Sequence, residues 1–294
     1  MSKQILPVYS ISTLKDRNPS PKDFAADYFD HYLDEHKDLH FPHKHSFYHL
    51  VYFSRGSGRH SIDFVNFDVE AGQIYFMIPG QVHTWEFETR PEGFIVNFSE
   101  EFLNALIVNP RYLDQFSFFS GIAAEQVITI PVEDRRKVEV ILETVIREGN
   151  SKEELKDDFA RTALIQLFIQ VSRYTNKGNG KHQNNYNYLL LRNFQKLIDL
   201  HYKEKNLTKD YAAMLYVTPN HLNALSKDVT GRSAGELIRD RIVLEAKRLL
   251  VNAKMSVAEI AQELDFVDNS YFSKFFKKYV GVTPEIFRKQ IIKK

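Results

Sequence analysis

Residues 207–231 read LTKDYAAMLYVTPNHLNALSKDVTG and residues 255–281 read MSVAEIAQELDFVDNSYFSKFFKKYVG. Laid over one another, Leu222, Leu225 and Gly231 meet Phe272, Phe275 and Gly281, each 50 residues on. Upstream the offset is 49, since Ala212 meets Ala261, so the second copy carries one extra residue. That residue is expected in a turn, where length variation is tolerated, and not in a helix. The chain therefore holds one helix-turn-helix unit twice.

Each copy has the chemistry of two short helices crossing at a steep angle. Thr208 and Ser256 are expected N-caps, because a hydroxyl there accepts from first-turn amides. Ala212 and Ala261 are small where helices must approach, and Leu215 and Leu264 add apolar contacts a turn later. Pro219 suits the first turn of the second helix, where its missing N–H costs little. Leu222 and Leu225, like Phe272, Phe275 and Phe276, give that helix a buried face. Its other face is polar: Asn220, His221, Asn223 and Lys227 in the first copy, Asn269, Ser270, Ser273, Lys274, Lys277 and Lys278 in the second. A solvated face is the ordinary explanation for one amphipathic helix, but its recurrence in two copies points to paired contact with DNA.

Between the copies, SAGELIRDRIVLEAKRLLVNA reads as a helix over about 233–251. Leu237, Ile238, Ile242, Leu249 and Leu250 are apolar there, and Arg239, Arg241, Lys247 and Arg248 are basic. At roughly 1.5 Å per residue such a helix spans about 28 Å, near the roughly 34 Å between successive major-groove faces. One rod can therefore hold both second helices on one side of a duplex.

From about residue 188 onward the chain resembles the DNA-binding domain of AraC/XylS-type bacterial transcription regulators. The matching residues are Ala212, Thr218-Pro219, Leu222, Gly231, Arg241-Ile242, Ala246, Leu249-Leu250, Ile260-Ala261, Phe266, the segment NSYF from Asn269, Phe276-Lys277, Gly281, Thr283-Pro284 and Phe287-Arg288. Two positions depart from the pattern. Ser226 stands where the family carries a buried aromatic, which predicts looser packing in the first copy. Asp265 stands where glycine ends a helix, and aspartate tolerates the left-handed backbone this requires.

The 294 residues suit two domains, and 43% hydrophobic content is enough for real cores. With no cysteine, disulfides and thiolate metal sites are excluded. No apolar run approaches the roughly 18 residues of a membrane span, and MSKQILPVYS lacks a basic-then-apolar signal pattern. A cytoplasmic protein without membrane contact is expected. The net charge of +1 hides an asymmetry: residues 186–294 carry 19 Lys and Arg against 12 Asp and Glu, a net +7, and the remainder carries 20 against 26, a net −6. Only the C-terminal part has the electrostatics to hold phosphates, whose neutralisation releases counterions. The stretch TNKGNGKHQNNYN, 175–187, is polar and glycine-containing and reads as a flexible linker.

Residues 48–98 change to short strand-like runs, at 48–53, 60–65, 74–78, 83–87 and 94–98. Turn signals punctuate them, RGSG from Arg55, Ala71-Gly72, Pro79-Gly80 and PEG from Pro91. A β-sandwich or small barrel follows. FPHKHSFYHLVYFSRGSGRHSIDF with AGQIYFMIPGQVHTW resembles the cupin-like effector domain that precedes such DNA-binding domains. The resemblance implies a small effector, a sugar or another metabolite, inside the barrel, with His43, His45, His49, Tyr52, His83 and Trp85 as its contacts. The same histidines raise a rival, a metal-dependent cupin enzyme. Metal cupins place a glutamate after the HxH pair, and this chain offers Tyr48, His49 and Leu50. No metal, no cofactor and no enzyme activity is therefore expected.

Two helical patterns follow over 132–173. One carries Val138, Ile141, Leu142 and Val145; the other carries Leu155, Phe159, Ala163, Leu167 and Val171, widened by Ile165, Phe168 and Ile169. The width suits packing on the barrel or a homodimer through these helices.

The expected architecture is multidomain: an N-terminal cupin-like β-barrel with a helical pair over 1–174, a linker over 175–187, and an all-α double helix-turn-helix over 188–294. In DNA, Asn220, His221, Asn223, Asn269, Ser270 and Lys274 are expected at base edges, since Asn suits adenine and Lys suits guanine. Thr218, Lys227, Arg241, Lys277 and Lys278 are expected at phosphates. The partners implied are double-stranded promoter or operator DNA, a small effector and RNA polymerase.

Overall fold

The computed structural model describes residues 7–14, 23–36, 41–107, 109, 111–175, 186–252 and 254–292. The chain divides into two compact units that part between Gly178 and Asn179. The expected linker lies mostly outside the described residues, as do the first six residues of the N-terminal decapeptide.

The N-terminal unit runs β1 (Val8–Tyr9), α1 (Ile11–Leu14), β2 (Phe24–Tyr28), α2 (Phe29–Glu35), β3 (His43–His45), β4 (Tyr48–Arg55), β5 (Gly58–Ile62), β6 (Val65–Val69), β7 (Gln73–Met77), β8 (Val82–Phe87), β9 (Glu92–Phe98), α3 (Glu100–Asn104), β10 (Val127–Thr129), α4 (Arg135–Gly149) and α5 (Lys156–Thr175). Its strands form two five-stranded sheets, ordered β1-β3-β8-β5-β6 and β10-β7-β4-β9-β2. Every described pairing is antiparallel except β1 with β3.

Strands β4, β7 and β9 each carry an unbroken apolar run, Leu50 to Phe53, Ile74 to Met77 and Phe94 to Val96, because successive side chains serve two cores. Leu50, Tyr52, Ile74, Phe76, Phe94, Val96 and Phe98 pack with α4 and α5. Val51, Phe53, Tyr75, Met77 and Ile95 meet Ile62, Val69 and Trp85 of the other sheet. Where β9 crosses β4, a Cβ on Gly93 (φ 157°) would come 1.9 Å from the Tyr52 carbonyl oxygen, so only glycine lets the strands close there.

The run expected as one strand over 60–65 is a hairpin. Strand β5 stops at Ile62, Asp63 and Phe64 take φ of 47° and 70°, and β6 begins at Val65. Two consecutive left-handed residues make a type I′ turn, and no glycine marks it. The Asp63 carboxylate accepts from the Val82 amide and the Gln81 side chain, which holds the turn against β8. On α5 the expected stripe begins too early. Leu155 precedes the helix at φ 60° and is exposed together with Phe159, because the buried face centres on Ala160, Leu164, Leu167 and Phe168.

The C-terminal unit is helical: α6 (Tyr186–His201), α7 (Thr208–Met214), α8 (Pro219–Thr230), α9 (Ala234–Val251), α10 (Val257–Glu263), α11 (Asn269–Val280) and α12 (Pro284–Ile292). The duplication extends to backbone detail. Helix α7 ends with Tyr216 left-handed (φ 56°) and Val217 N–H donating to the Ala212 carbonyl; α10 ends with Asp265 left-handed (φ 57°) and Phe266 N–H donating to the Ala261 carbonyl. Both are the same C-terminal stop, and the extra residue of the second copy falls in its turn at Val267. Helices α8 and α11 both end on a left-handed glycine, Gly231 and Gly281.

One expected cap moves. Thr208 is already the first residue of α7, and extended Leu207 holds the cap position without a side-chain bond. Ser256 caps α10, and Ser233 caps α9, each in a reciprocal capping box with Glu259 or Glu236. Looser packing of the first copy is not what the fold shows. Buried Ser226 donates to the Leu222 carbonyl (2.7 Å), and α6 brings Leu190, Leu191, Phe194 and Ile198 into the same core. The second copy rests on a smaller core of Ala246, Leu250, Ile260, Ala261, Leu264, Phe272 and Phe276.

Candidate functional site

In α8 the buried residues Leu222, Leu225 and Ser226 fix which face remains outside. That face carries Asn220, Ala224 and Lys227 at i, i+4, i+7, all exposed. In α11 the buried Phe272 and Phe276 leave Ser270, Lys274 and Lys277 exposed at the same spacing, each 50 residues on. His221 and Asn269 are exposed in the first turns beside these stripes, and Lys278 is exposed in the last turn of α11. Thr218 caps α8, its hydroxyl accepting from His221 N–H, and Asp268 does the same for Tyr271 N–H in α11. Ala224 was not among the expected contacts, although helical spacing from Asn220 reaches it. The α11 cap Asp268 and the 58% exposed Tyr271 were likewise not among them.

Two expected contacts are turned away from solvent. Asn223 is half-buried, and its side-chain oxygen accepts from the Ala234 amide (3.1 Å), tying α8 to the start of α9. Arg241 is not a free phosphate ligand: its guanidinium donates to Asp199 (2.7 Å) and Glu245 (2.9 Å) and lies 4.1 Å over the Tyr202 ring. Both serve packing of α9, because the sequence stripe of basic residues on that helix includes positions that face α6.

Between the sheets of the N-terminal unit lies a second constellation. His43 and His45 leave β3 on one side, and His83 on β8 is the register partner of His43. His60 joins from β5, opposite Trp85, and His49 comes from β4 in the other sheet. All five imidazoles are buried. His43 Nδ1 bonds the Phe41 carbonyl (2.8 Å), His49 Nδ1 bonds the Asn97 side-chain oxygen (2.6 Å), and His83 joins His45 (2.8 Å) and His60 (3.2 Å) through ring nitrogens. His43 Nε2, His45 Nδ1, His49 Nε2 and His60 Nδ1 make no hydrogen bond. One ring nitrogen each of His43, His45 and His83 lies within 4.8 Å of the others.

Burial disfavours the charged form of every member. It pushes His43 down to about 4 and His49 down to about 3, although the Phe41 carbonyl and Asn97 oppose it. His45, His60 and His83 fall well below the ordinary 6.5, from burial first and neighbouring imidazoles second. Trp85 closes the cluster, 5.0 Å from His83 and 5.8 Å from His49 between ring centres. Tyr52 does not belong to it. Three residues beyond His49 on β4, it has the opposite parity, points into the helix-covered core and donates to Glu139 (3.3 Å). His60 was missed because its strand carries no second histidine to mark the inward face.

Residues 29–169 match the family profile of the AraC-like ligand binding domain, and residues 211–290 match a helix-turn-helix domain profile. The chain belongs to the AraC family of transcription regulators. Relatives of this AraC-family protein include the HTH-type transcriptional activator RhaR of Cronobacter sakazakii, 21% identical over 84% of this chain and 86% of that one. The uncharacterized transcriptional regulatory protein YesN of Bacillus subtilis is 40% identical over 29% of this chain, which spans 24% of YesN's own length. Among solved structures, ToxT from Vibrio cholerae O395 covers 92% of this chain and 99% of its own at 15% identity, with a TM-score of 0.46. The AraC-family relatives are transcription regulators and not enzymes, so the cupin-enzyme alternative falls. Among the described residues no helix is long and apolar enough to cross a membrane.

Proposed function

We propose that this protein is a sequence-specific DNA-binding regulator that reads two adjacent half-sites with α8 and α11 under control of a small effector. The observation that carries the reading is the pair of matched stripes, Asn220, Ala224, Lys227 and Ser270, Lys274, Lys277, on the basic half of the chain. The first offers an amide and a methyl, suited to adenine and thymine; the second offers Lys274, suited to guanine. His221 and Asn269 flank the base-reading face, and Thr218, Lys227, Lys277 and Lys278 surround it with phosphate ligands. Bound near a promoter, such a module can contact RNA polymerase in the cytoplasm. Selection from random duplexes followed by footprinting tests it: two half-sites about one helical turn apart are expected, and affinity without sequence preference would make the protein an architectural DNA binder instead.

Roles can be separated residue by residue. Lys274→Ala is expected to cost about 1–3 kcal/mol and relax preference at one base pair. Lys277→Ala is expected to weaken all sequences alike and lower the salt slope by about one. Arg241→Ala is expected to leave the salt slope unchanged and lower folding stability by about 2 kcal/mol, because Asp199 loses its arginine while Glu245 keeps Arg248. Equal losses for all three on specific and random DNA would overturn this assignment.

The domain division we favour is 1–174, 175–187 and 188–294, with the effector held between the sheets at His43, His45, His49, His83 and Trp85. The resemblance points to a sugar or another metabolite there. An effector can shift the DNA-binding half only by its differential affinity for two arrangements. Homodimerisation through α4 and α5 is supported by Val140, Phe159 and Ile169, which lie exposed on these helices. The Phe159→Asp/Ile169→Asp chain is expected to sediment as a monomer where the parent sediments as a dimer; an unchanged mass would place the interface elsewhere.

A further inference from the structure

The inter-sheet interior is tightly packed around its histidines. Phe29, Phe53, Tyr75 and Trp85 pack within it, and its histidines are at most 3% exposed. Yet four imidazole nitrogens are buried there without a hydrogen bond. Buried polar atoms of this kind are rare and call for an unseen partner.

We propose that His43, His45 and His83 form a binding site for a divalent first-row transition ion, with His49 closing its fourth side. The proposal rests on the inter-sheet interior being the ligand site of the N-terminal unit and names an ion as the occupant. Buried imidazole nitrogens gathered from three histidines, with unpaired ones among them, suit a bare ion. Neutral imidazole is a ligand for Zn, Ni, Cu or Fe.

Outer partners for His43, His49 and His83 are already in place. A ligating histidine donates its remote N–H to a fixed acceptor, which orients the ring and its lone pair. His43 Nδ1 faces the Phe41 carbonyl and His49 Nδ1 faces Asn97, which leaves the Nε2 lone pair of each unpartnered. His83 Nδ1 faces His60 Nε2, so His83 Nε2 is the third donor. His45 Nε2 now shares a proton with His83 Nε2 at 2.8 Å. Only one N–H lies between them, and moving it to the Nδ1 of the ring that carries it frees both Nε2 atoms without releasing a proton. At Zn–N bonds of about 2.0–2.1 Å, tetrahedral ligand atoms stand about 3.3 Å apart. One nitrogen of each ring already lies within 4.8 Å of the others, and the His45–His83 pair at 2.8 Å must part slightly to reach that spacing. The ion's charge lands in the half of the chain whose net charge is −6.

The test uses the metal-free full chain. Titration with Co²⁺ is expected to give one equivalent bound, with the intense ligand-field bands of four-coordinate cobalt, and Zn²⁺ is expected to displace it and raise the melting temperature. X-ray absorption of the Zn²⁺-loaded parent chain should show a nitrogen shell at about 2.0 Å with imidazole scattering; a shell dominated by oxygen overturns the site. His43→Gln/His83→Gln is expected to weaken Co²⁺ at least 100-fold. The other described cluster able to hold an ion is Asp27, His31 and Glu35 at the surface. Asp27→Asn/His31→Gln should leave Co²⁺ binding unchanged, and loss of binding there would overturn the proposal in favour of that cluster. No uptake of Co²⁺ by the parent chain overturns it outright. Sequence-specific DNA binding measured on the same samples judges the regulator reading separately.

Discussion

Acidification from pH 7.5 to 5 is expected to unfold the N-terminal unit of the metal-free chain. Five imidazoles are held neutral by burial, His43 down to about 4 and His49 down to about 3, with His45, His60 and His83 depressed in the same direction. In the unfolded chain they regain the ordinary 6.5. Between these limits the unfolded state holds protons that the folded state refuses, so stability rises with pH. The contribution is complete well above pH 6.5 and is lost as pH falls through 6.5 towards 4. Each such proton changes stability by about 1.4 kcal/mol per pH unit. His43 and His49 alone then remove about 4 kcal/mol at pH 5, against a typical domain stability of about 5–15 kcal/mol. Trp85 is the chain's one tryptophan and packs in this cluster, so its fluorescence reports the event. A urea midpoint read from Trp85 that does not move between pH 7.5 and 5 would rule out neutral histidines in the fold.

Phe272→Ala is expected to cost about 3–5 kcal/mol and abolish specific DNA binding. Phe272 is fully buried, 5.2 Å from the Phe266 ring and 6.0 Å from the Phe276 ring, in the smaller of the two helical cores. Removing it takes away the anchor that sets the rotation of α11 and hence the aim of Lys274 and Lys277. Leu222→Ala in α8 should cost less DNA affinity for the same lost stability, because α6 backs that core. Melting curves of the full chain and binding to a selected operator measure both. Specific affinity retained within tenfold in Phe272→Ala would show that α11 does not read bases.

The duplicated unit was readable because its signals are local: capping hydroxyls, a small residue at the crossing and apolar spacing all lie within about 25 residues of one another. One of its two departures carried through: Asp265 takes the left-handed backbone that its position required. What failed depends on contacts distant in sequence. Arg241 reads as a free cation until α6 delivers Asp199 and Tyr202 to it. Tyr52 reads as a companion of His49 until strand parity sends it to the other core. The hairpin at Asp63-Phe64 was hidden because its left-handed residues are the wrong types to announce it. The five-histidine cluster was only partly visible, since His60 and His83 meet through the pairing of β5 with β8.

Helix α9 is fastened at both ends and between them, by Asn223 of α8 at the start, by the Arg241 pair with Asp199 of α6 along its length and by Arg288 of α12 donating to the Leu250 carbonyl at its end. A fastened rod fixes angular phase as well as distance. Each base pair inserted between half-sites turns one of them by about 34–36° around the duplex, and the protein has no joint within α9 to follow. Operators for this protein should therefore tolerate substitutions between the half-sites far better than a single insertion, and their spacing should recover function only when a whole turn is restored by a second copy bound alongside.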